Sequence, residues 1–515
     1  MKKTIFISLM VGLLCCWSAC TEDNSSMGTG QLNEIEVEGL AEDINVASYQ
    51  GINLKDLIHP TVITSLSEDQ LAYAWYLYSN EGSDGPYKDY QIATGKEVDY
   101  EVNLPSGTYT LVFEVTNTET GYAKIVESTI HTTTSFSKGF YILKETSEGT
   151  TELDMMNDDG MIHDLISTLS GAPMQGKPHN LVMMYSGAYI DIETNKTATT
   201  NLLFAISDAG KLKGYRTEDM QEIFNNDNLF YSGTMPASER PGTLVTGPTG
   251  NFYFSNSGVR YYVTMTSYGG SAGKFGYPVG ATGSKYVQVI NAIMGYIYWD
   301  NADHQLMLVD YNGMGSTPLE PAEGVEYPDD LECISSCVSL TAGTVAWFLC
   351  EQPSTGNRYL LKTTSSQYVD EAIQIDPSSH LAHSTVQSGN GISASYIYCI
   401  DDGKVYAHSL TDGSETNVPL PGIPSGEDVT FLTNQWLNFS SLSTDYNFDN
   451  LIVGTQTGDT YKLYFYDGLN GGMPINAATK TASGTGKVKC VRFVSPVIAA
   501  AMTLAFEPNP FPLSD

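Results

Sequence analysis

The chain has 515 residues, enough for two to four domains at about 150 residues each. Hydrophobic residues make up 41% and charged residues 16%, which excludes global disorder and points to a folded chain with a largely neutral polar surface. Lysine and arginine number 25 against 59 acids, a net charge of -34, and a field of that sign repels phosphate backbones, so nucleic acid is excluded as an expected partner.

Lys2 and Lys3 precede an apolar run from Ile5 to Leu14, and Ser18 and Ala19 lead to Cys20, the layout of a secretory signal. The run is too short to span a bilayer permanently. A cysteine directly after small residues resembles a bacterial lipobox, which implies removal of residues 1–19 and a diacylglycerol on Cys20. An ordinary signal peptide cleaved nearby is the alternative. Thr21-Glu22-Asp23-Asn24 resembles the acidic leader that sends lipoproteins of Bacteroidetes-type bacteria to the cell surface. Residues 20–32 are polar and contain glycine, so they are expected to form a flexible tether.

The rest of the chain is expected to be all-β. Its 48 glycines and 33 tyrosines suit short strands and tight turns, because glycine accepts positive φ and tyrosine fits a half-buried pleat. Residues 33–134 alternate like a small sandwich. Leu71-Ala72-Tyr73-Ala74-Trp75-Tyr76-Leu77-Tyr78 predicts a central strand with a buried tryptophan. Ser106-Gly107 opens the strand Thr108–Thr116, and Asn117–Gly121 turns it into Tyr122–Ile130. This segment resembles a PKD-like, immunoglobulin-like module, which implies a spacer.

Residues 135–515 repeat one unit: an apolar strand, a polar turn and an aromatic strand. The first members are Phe140–Leu143 with a turn at Gly149, Leu202–Ile206 at Gly210, Phe252–Phe254 at Gly258, and Tyr296–Trp299 near Asp303. Trp347–Leu349 with Gly356, Tyr396–Tyr398 with Gly403, and Leu451–Val453 with Gly458 complete the series. The turns lie 61, 48, 45, 53, 47 and 55 residues apart, near the roughly 40–50 residues of a four-stranded propeller blade, so a seven-bladed β-propeller is expected, with six or eight blades as the alternatives because inserted loops can hide or imitate a hairpin. A ring must close on itself, and nothing before Phe140 reads as a strand of that unit, so Val488–Phe493 is expected to supply the innermost strand.

Five cysteines follow Cys20: Cys333, Cys337, Cys350, Cys399 and Cys490. The odd count requires a free thiol, Cys350 and Cys399 end apolar runs expected in the core, and Cys333 and Cys337 could pair across a loop, with the pairing left open by the sequence.

Signals for chemistry are sparse. Gly269-Gly270-Ser271-Ala272-Gly273 matches G-x-S-x-G, but no helical pattern follows it, so it reads as a glycine-rich loop and not as a nucleophile elbow. Asp445-Tyr446-Asn447-Phe448-Asp449-Asn450 sets oxygen donors at alternating positions, as the start of a calcium loop does. Asp445, Asn447 and Asp449 are therefore candidate ligands of a structural Ca2+, although the twelfth position is Gln456 and not a bidentate glutamate. Asp154, Asp158 and Asp159 match less well and read as a solvated turn. Trp299, Tyr311, Tyr268, Trp436 and Tyr446 are aromatic candidates for stacking on a sugar or peptide. No catalytic residue is identified.

Lipobox, acidic leader, PKD-like segment and β-rich repeats together resemble the PKD-like family lipoproteins encoded beside SusC/SusD-type importers. The resemblance is closest over residues 32–160, including Gly139-Phe140-Tyr141-Ile142-Leu143-Lys144-Glu145 through Asp154. It implies a non-catalytic, surface-exposed outer-membrane lipoprotein, accessory to a TonB-dependent importer, that binds a glycan or peptide nutrient or docks on the importer. A propeller glycoside hydrolase or lyase, with its acids carried on loops, is the alternative.

Overall fold

The computed structural model describes residues 34–48, 50–80, 85–104, 107–191, 195–246, 251–262, 272–279, 287–291, 295–309, 315–339, 345–364, 367–389, 395–438, 447–467 and 469–495. The chain is all-β and divides into two compact units, Met1–Asn103 with Gly107–Thr132, and Leu104–Ser106 with Thr133–Asp515. Among the described residues no helix is long and apolar enough to cross a membrane.

The first unit holds a five-stranded sheet and a two-stranded ribbon. The sheet runs in the order Asp43–Ser48, Ala123–Thr134, Gly107–Asn117, Leu71–Ser79, Gln91–Thr94; Ile35–Glu38 pairs with Thr61–Thr64 in the ribbon. Trp75 is fully buried, stacks on Phe113 with ring centroids 4.1 Å apart, and donates its indole N–H to Gly95 O at 3.1 Å. The tryptophan thus fills the core while its single donor is satisfied.

Among its described residues the second unit contains seven four-stranded antiparallel sheets, a propeller-like arrangement. Five are built from four strands that follow one another in the chain, and one takes Glu332–Ser339, Val345–Glu351, Arg358–Thr363 and Glu371–Gln374, passing over Tyr368–Val369, which pairs in parallel with Glu320–Pro321. The first draws its opening strand from the other end: Lys487–Val494 pairs antiparallel with Gly139–Glu145, which then pairs with Thr151–Asn157 and Gly160–Ile162. Each apolar repeat run lies in the second strand of its sheet, and the polar turn after it leads into the third.

Successive sheets share apolar cores, because strands buried on both faces need cover from both neighbours. Leu202 and Phe204 of the second sheet pack with Leu244 and Tyr253 of the third. Phe252 and Phe254 pack with Tyr298 and Met307 of the fourth. Trp299 packs with Phe348 of the fifth, and Leu349 with Ile397 of the sixth. Tyr398 packs with Leu451 of the seventh, and Ile452 with Phe140 and Val491 of the first.

Cys350 and Cys399 are buried in apolar cores, as expected, but Cys333 and Cys337 do not flank a loop. Cys333 and Cys337 lie on one strand, Glu332–Ser339, not across a loop. Four residues of strand separate them by about 13 Å, beyond the reach of a disulfide. All five described cysteines are free thiols and buried.

Candidate functional site

A cleft of about 560 Å³ opens where the seventh, first and second sheets meet. Strand direction explains what gathers there. Glu145, Asp208 and Gln456 close the second strands of these sheets or follow them into the turn, while Pro178 and Lys487 open first strands. The same end of three neighbouring sheets therefore lines one cavity. Phe431, Leu463 and Val488 supply apolar surface, with Phe431 and Leu463 buried.

Lys177, Lys487 and Lys489 line this cleft against only two carboxylates, Glu145 and Asp208. Both carboxylates are engaged. Lys177 Nζ lies 3.3 Å from Glu145 Oε1, and Asp208 accepts the Lys177 backbone N–H at 2.8 Å while donating its own N–H to Lys177 O. Gly176, at φ +87°, sits so close to Asp208 Oδ1 that a Cβ would collide with it, which holds the carboxylate in that role. Gln456 donates to Gly458 O and Gly486 O, both at 3.1 Å, and Thr455 donates to Glu427 at 2.8 Å. The rim is thus fixed by its own hydrogen bonds, and the lysines give a cationic pocket in a chain whose overall charge is -34.

Behind the cleft lies a charge network whose centre, Lys144 and Asp154, is buried while His163 and Asp164 reach the surface. Tyr461, which lines the cavity, donates its hydroxyl to Asp154 Oδ2 at 2.6 Å. Lys144 Nζ bridges Asp154 and Asp164 at 2.7 and 2.9 Å, and His163 Nδ1 stands 3.1 Å from Asp154. Burial would by itself lower the Lys144 pKa, but the hydrogen bonds and charges of Asp154 and Asp164 outweigh it and raise the value. Asp164 adopts φ +53°, and its N–H donates to Asp154 Oδ1 at 2.9 Å. Asp154 is therefore no part of a solvated turn: it sits fully buried in Thr151–Asn157, while Asp158 and Asp159 beyond the strand are exposed.

A smaller cavity of about 270 Å³ lies at the opposite end of the same strands, lined by Phe140, Phe448, Phe465, Phe493, Lys138 and Lys480 among others. Gly139–Glu145 touches one cavity with each end, and so does Thr460–Tyr466 through Tyr461 and Phe465.

The residues singled out in the sequence fall elsewhere. Cys20, Asp445, Tyr446, Tyr268, Tyr311 and the triplet Gly269-Gly270-Ser271 lie outside the described residues. Asn447 and Asp449 belong to the strand Asn447–Thr457, and Asp449 accepts from Asn434 Nδ2 at 3.0 Å. Among the described residues no group of three or more His, Cys, Asp or Glu side chains is arranged to hold a metal ion. Trp299 and Trp436 are buried, at 0% and 7% exposure, so core packing occupies the faces considered for ligand stacking. Sequence reasoning missed the lysines of the cleft and the Lys144–Asp154 pair.

A PKD-like family model matches residues 20–178. The comparison with curated proteins gave no match. Among solved structures, the chain is similar to a quinonprotein alcohol dehydrogenase-like protein from Bacteroides thetaiotaomicron, at 12% identity and a TM-score of 0.47, over 88% of this chain and 97% of that one. It is also similar to apo AztD from Citrobacter koseri, at 12% identity and a TM-score of 0.34, over 72% of this chain and 93% of that one.

Proposed function

We propose that this protein is a non-catalytic, surface-exposed outer-membrane lipoprotein, anchored through Cys20 and accessory to a SusC/SusD-type importer, and that its repeat unit is a closed seven-bladed propeller. Three features support the ring: seven sheets in succession, cores shared between neighbours, and a first sheet completed by Lys487–Val494. The signal-like leader and the PKD-like match over residues 20–178 support the exported, tethered reading.

The cleft carries the binding role. Lys177, Lys487 and Lys489 beside an apolar floor suit a carboxylate-bearing nutrient, an acidic oligosaccharide or acidic peptide, whose charge meets ammonium groups while its body covers Phe431 and Val488.

Calorimetry of the full chain with oligogalacturonates, with neutral oligogalactosides and with Asp/Glu-rich peptides tests the cleft. Binding of an acidic ligand that weakens at least tenfold in Lys487→Glu/Lys489→Glu supports it; equal binding of neutral and acidic ligands, or none, overturns it. Affinity capture from envelopes with the tagged protein tests the accessory role. Recovery of a TonB-dependent importer supports that role, and its absence from cross-linked envelopes counts against it.

A further inference from the structure

Cys333 and Cys350 face one another across two adjacent strands, Glu332–Ser339 and Val345–Glu351, directly opposite in register. The hydrogen-bond pattern fixes the kind of pair they form. Gln352 N–H donates to Asn357 O across the following turn, and Ile375 N–H donates to Arg358 O on the far side. In an antiparallel ladder the bonding direction alternates at every residue, so Cys350 bonds toward Arg358–Thr363 and meets Cys333 as a non-hydrogen-bonded pair. Such pairs bring Cα atoms to about 4.5 Å, inside the roughly 4.4–6.8 Å that a disulfide spans. The Cys333 thiol donates to Ser335 O at 3.3 Å and the Cys350 thiol to Phe348 O at 3.9 Å, and both side chains sit in the core shared by the fourth and fifth sheets.

We propose that Cys333 and Cys350 are a disulfide-forming pair, joined when the chain folds in the presence of a small-molecule or protein disulfide. The Cys350 thiolate attacks a sulfur of that disulfide and releases one thiol. Cys333 then attacks Cys350 Sγ in the mixed disulfide and releases the second. Two cysteines are oxidised, one disulfide is reduced to two thiols, and the two protons pass to the departing thiolates. Export supplies such an oxidant in the cell, but the chemistry is independent of where the chain is anchored. Order matters, because the folded core leaves Cys333 6% and Cys350 0% exposed. Burial also pushes the Cys333 thiol well above its usual pKa, leaving little thiolate to react. Exchange therefore belongs to the folding chain, and the folded reduced protein resists it.

The test is refolding of the full chain from urea with oxidised glutathione, followed by alkylation under denaturing conditions and peptide mapping after chymotryptic cleavage between the two positions. A linked peptide lighter by two hydrogens is expected, retained in Cys337→Ala and lost in Cys333→Ala, with Cys337, Cys399 and Cys490 alkylated. Alkylation of both Cys333 and Cys350, or a link of either one to another cysteine, overturns the proposal. The same oxidant added to folded, reduced protein is expected to leave the pair unlinked over the time in which refolding links it.

Discussion

Lys144 Nζ stands 2.7 Å from Asp154 Oδ1, with the two side chains at 2% and 0% exposure. A buried ion pair of this kind contributes little over an apolar pair of equal size, but either charge alone is costly. Replacing Lys144 by methionine leaves Asp154 with the Tyr461 hydroxyl, His163 and the Asp164 N–H but no lysine. Lys144→Met is expected to lower stability by about 3–5 kcal/mol. Lys144→Met/Asp154→Asn, which removes the stranded charge yet keeps an acceptor for Tyr461, is expected to recover a substantial share. Urea unfolding of both variants checks this, and additive losses would show that the two charges do not couple.

Glu152 lies two residues before Asp154 in the same strand, and burial governs its titration. Burial drives its pKa up to about 7 despite the N–H that Ser167 donates at 2.9 Å, and the nearby Asp164 charge adds to the rise. The sign follows from proton binding. Below the unfolded value near 4.5 both states are protonated and the full stability is present; between there and about 7 the unfolded chain gives up its proton first, so stability falls as pH rises. Glu152→Gln keeps the neutral shape at every pH. Between pH 4 and pH 8 the unmodified chain is expected to lose on the order of 3 kcal/mol more than this variant, from the size of the shift. Chemical denaturation at the two pH values reads the difference, and parallel losses would refute the assignment.

Strands were legible in the sequence and the site was not, for different physical reasons. Runs such as Tyr396–Tyr398 before Gly403 carry their own signal, since aromatic residues fit a pleat and a glycine at φ +68° completes the turn. Trp75 is likewise a large apolar residue amid other strand formers. Asp154, by contrast, looks like any acid beside Asp158 and Asp159. Its character comes from Lys144 on the facing strand and from Tyr461, 307 residues away. Lys177 and Lys487 meet only because the last described strand joins the first sheet. Cys333 and Cys337 misled because a spacing of four can be a loop or a strand, and only the strand holds the two thiols apart.

Gly273 ends the G-x-S-x-G match, and its need for glycine is steric. It adopts φ +79°, and a Cβ there would drive into the carbonyl of Ala188 and the ring of Phe224. Both strain and overlap oppose any side chain. Gly273→Ala is expected to destabilise the chain by at least about 2 kcal/mol, mostly from the collision. A thermal melt unchanged by this substitution would remove the packing explanation.

Lys487–Val494 contributes the buried Cys490, Val491 and Val494, and Arg492 reaches the Leu181 carbonyl of the second sheet at 3.4 Å. Ending the chain at residue 486 strips Gly139–Glu145 of one neighbour and uncovers Phe140 and Ile142, which share a core with Val491. An unpaired inner edge and an open apolar face cannot be solvated cheaply. Deletion of residues 487–515 is therefore expected to abolish cooperative unfolding and to make the second unit sensitive to protease. Removal of residues 496–515 alone spares that strand and is the comparison truncation. Limited proteolysis and calorimetry of the two truncations side by side decide it: equal behaviour would mean that the last strand is an accessory to the first sheet and not part of its framework.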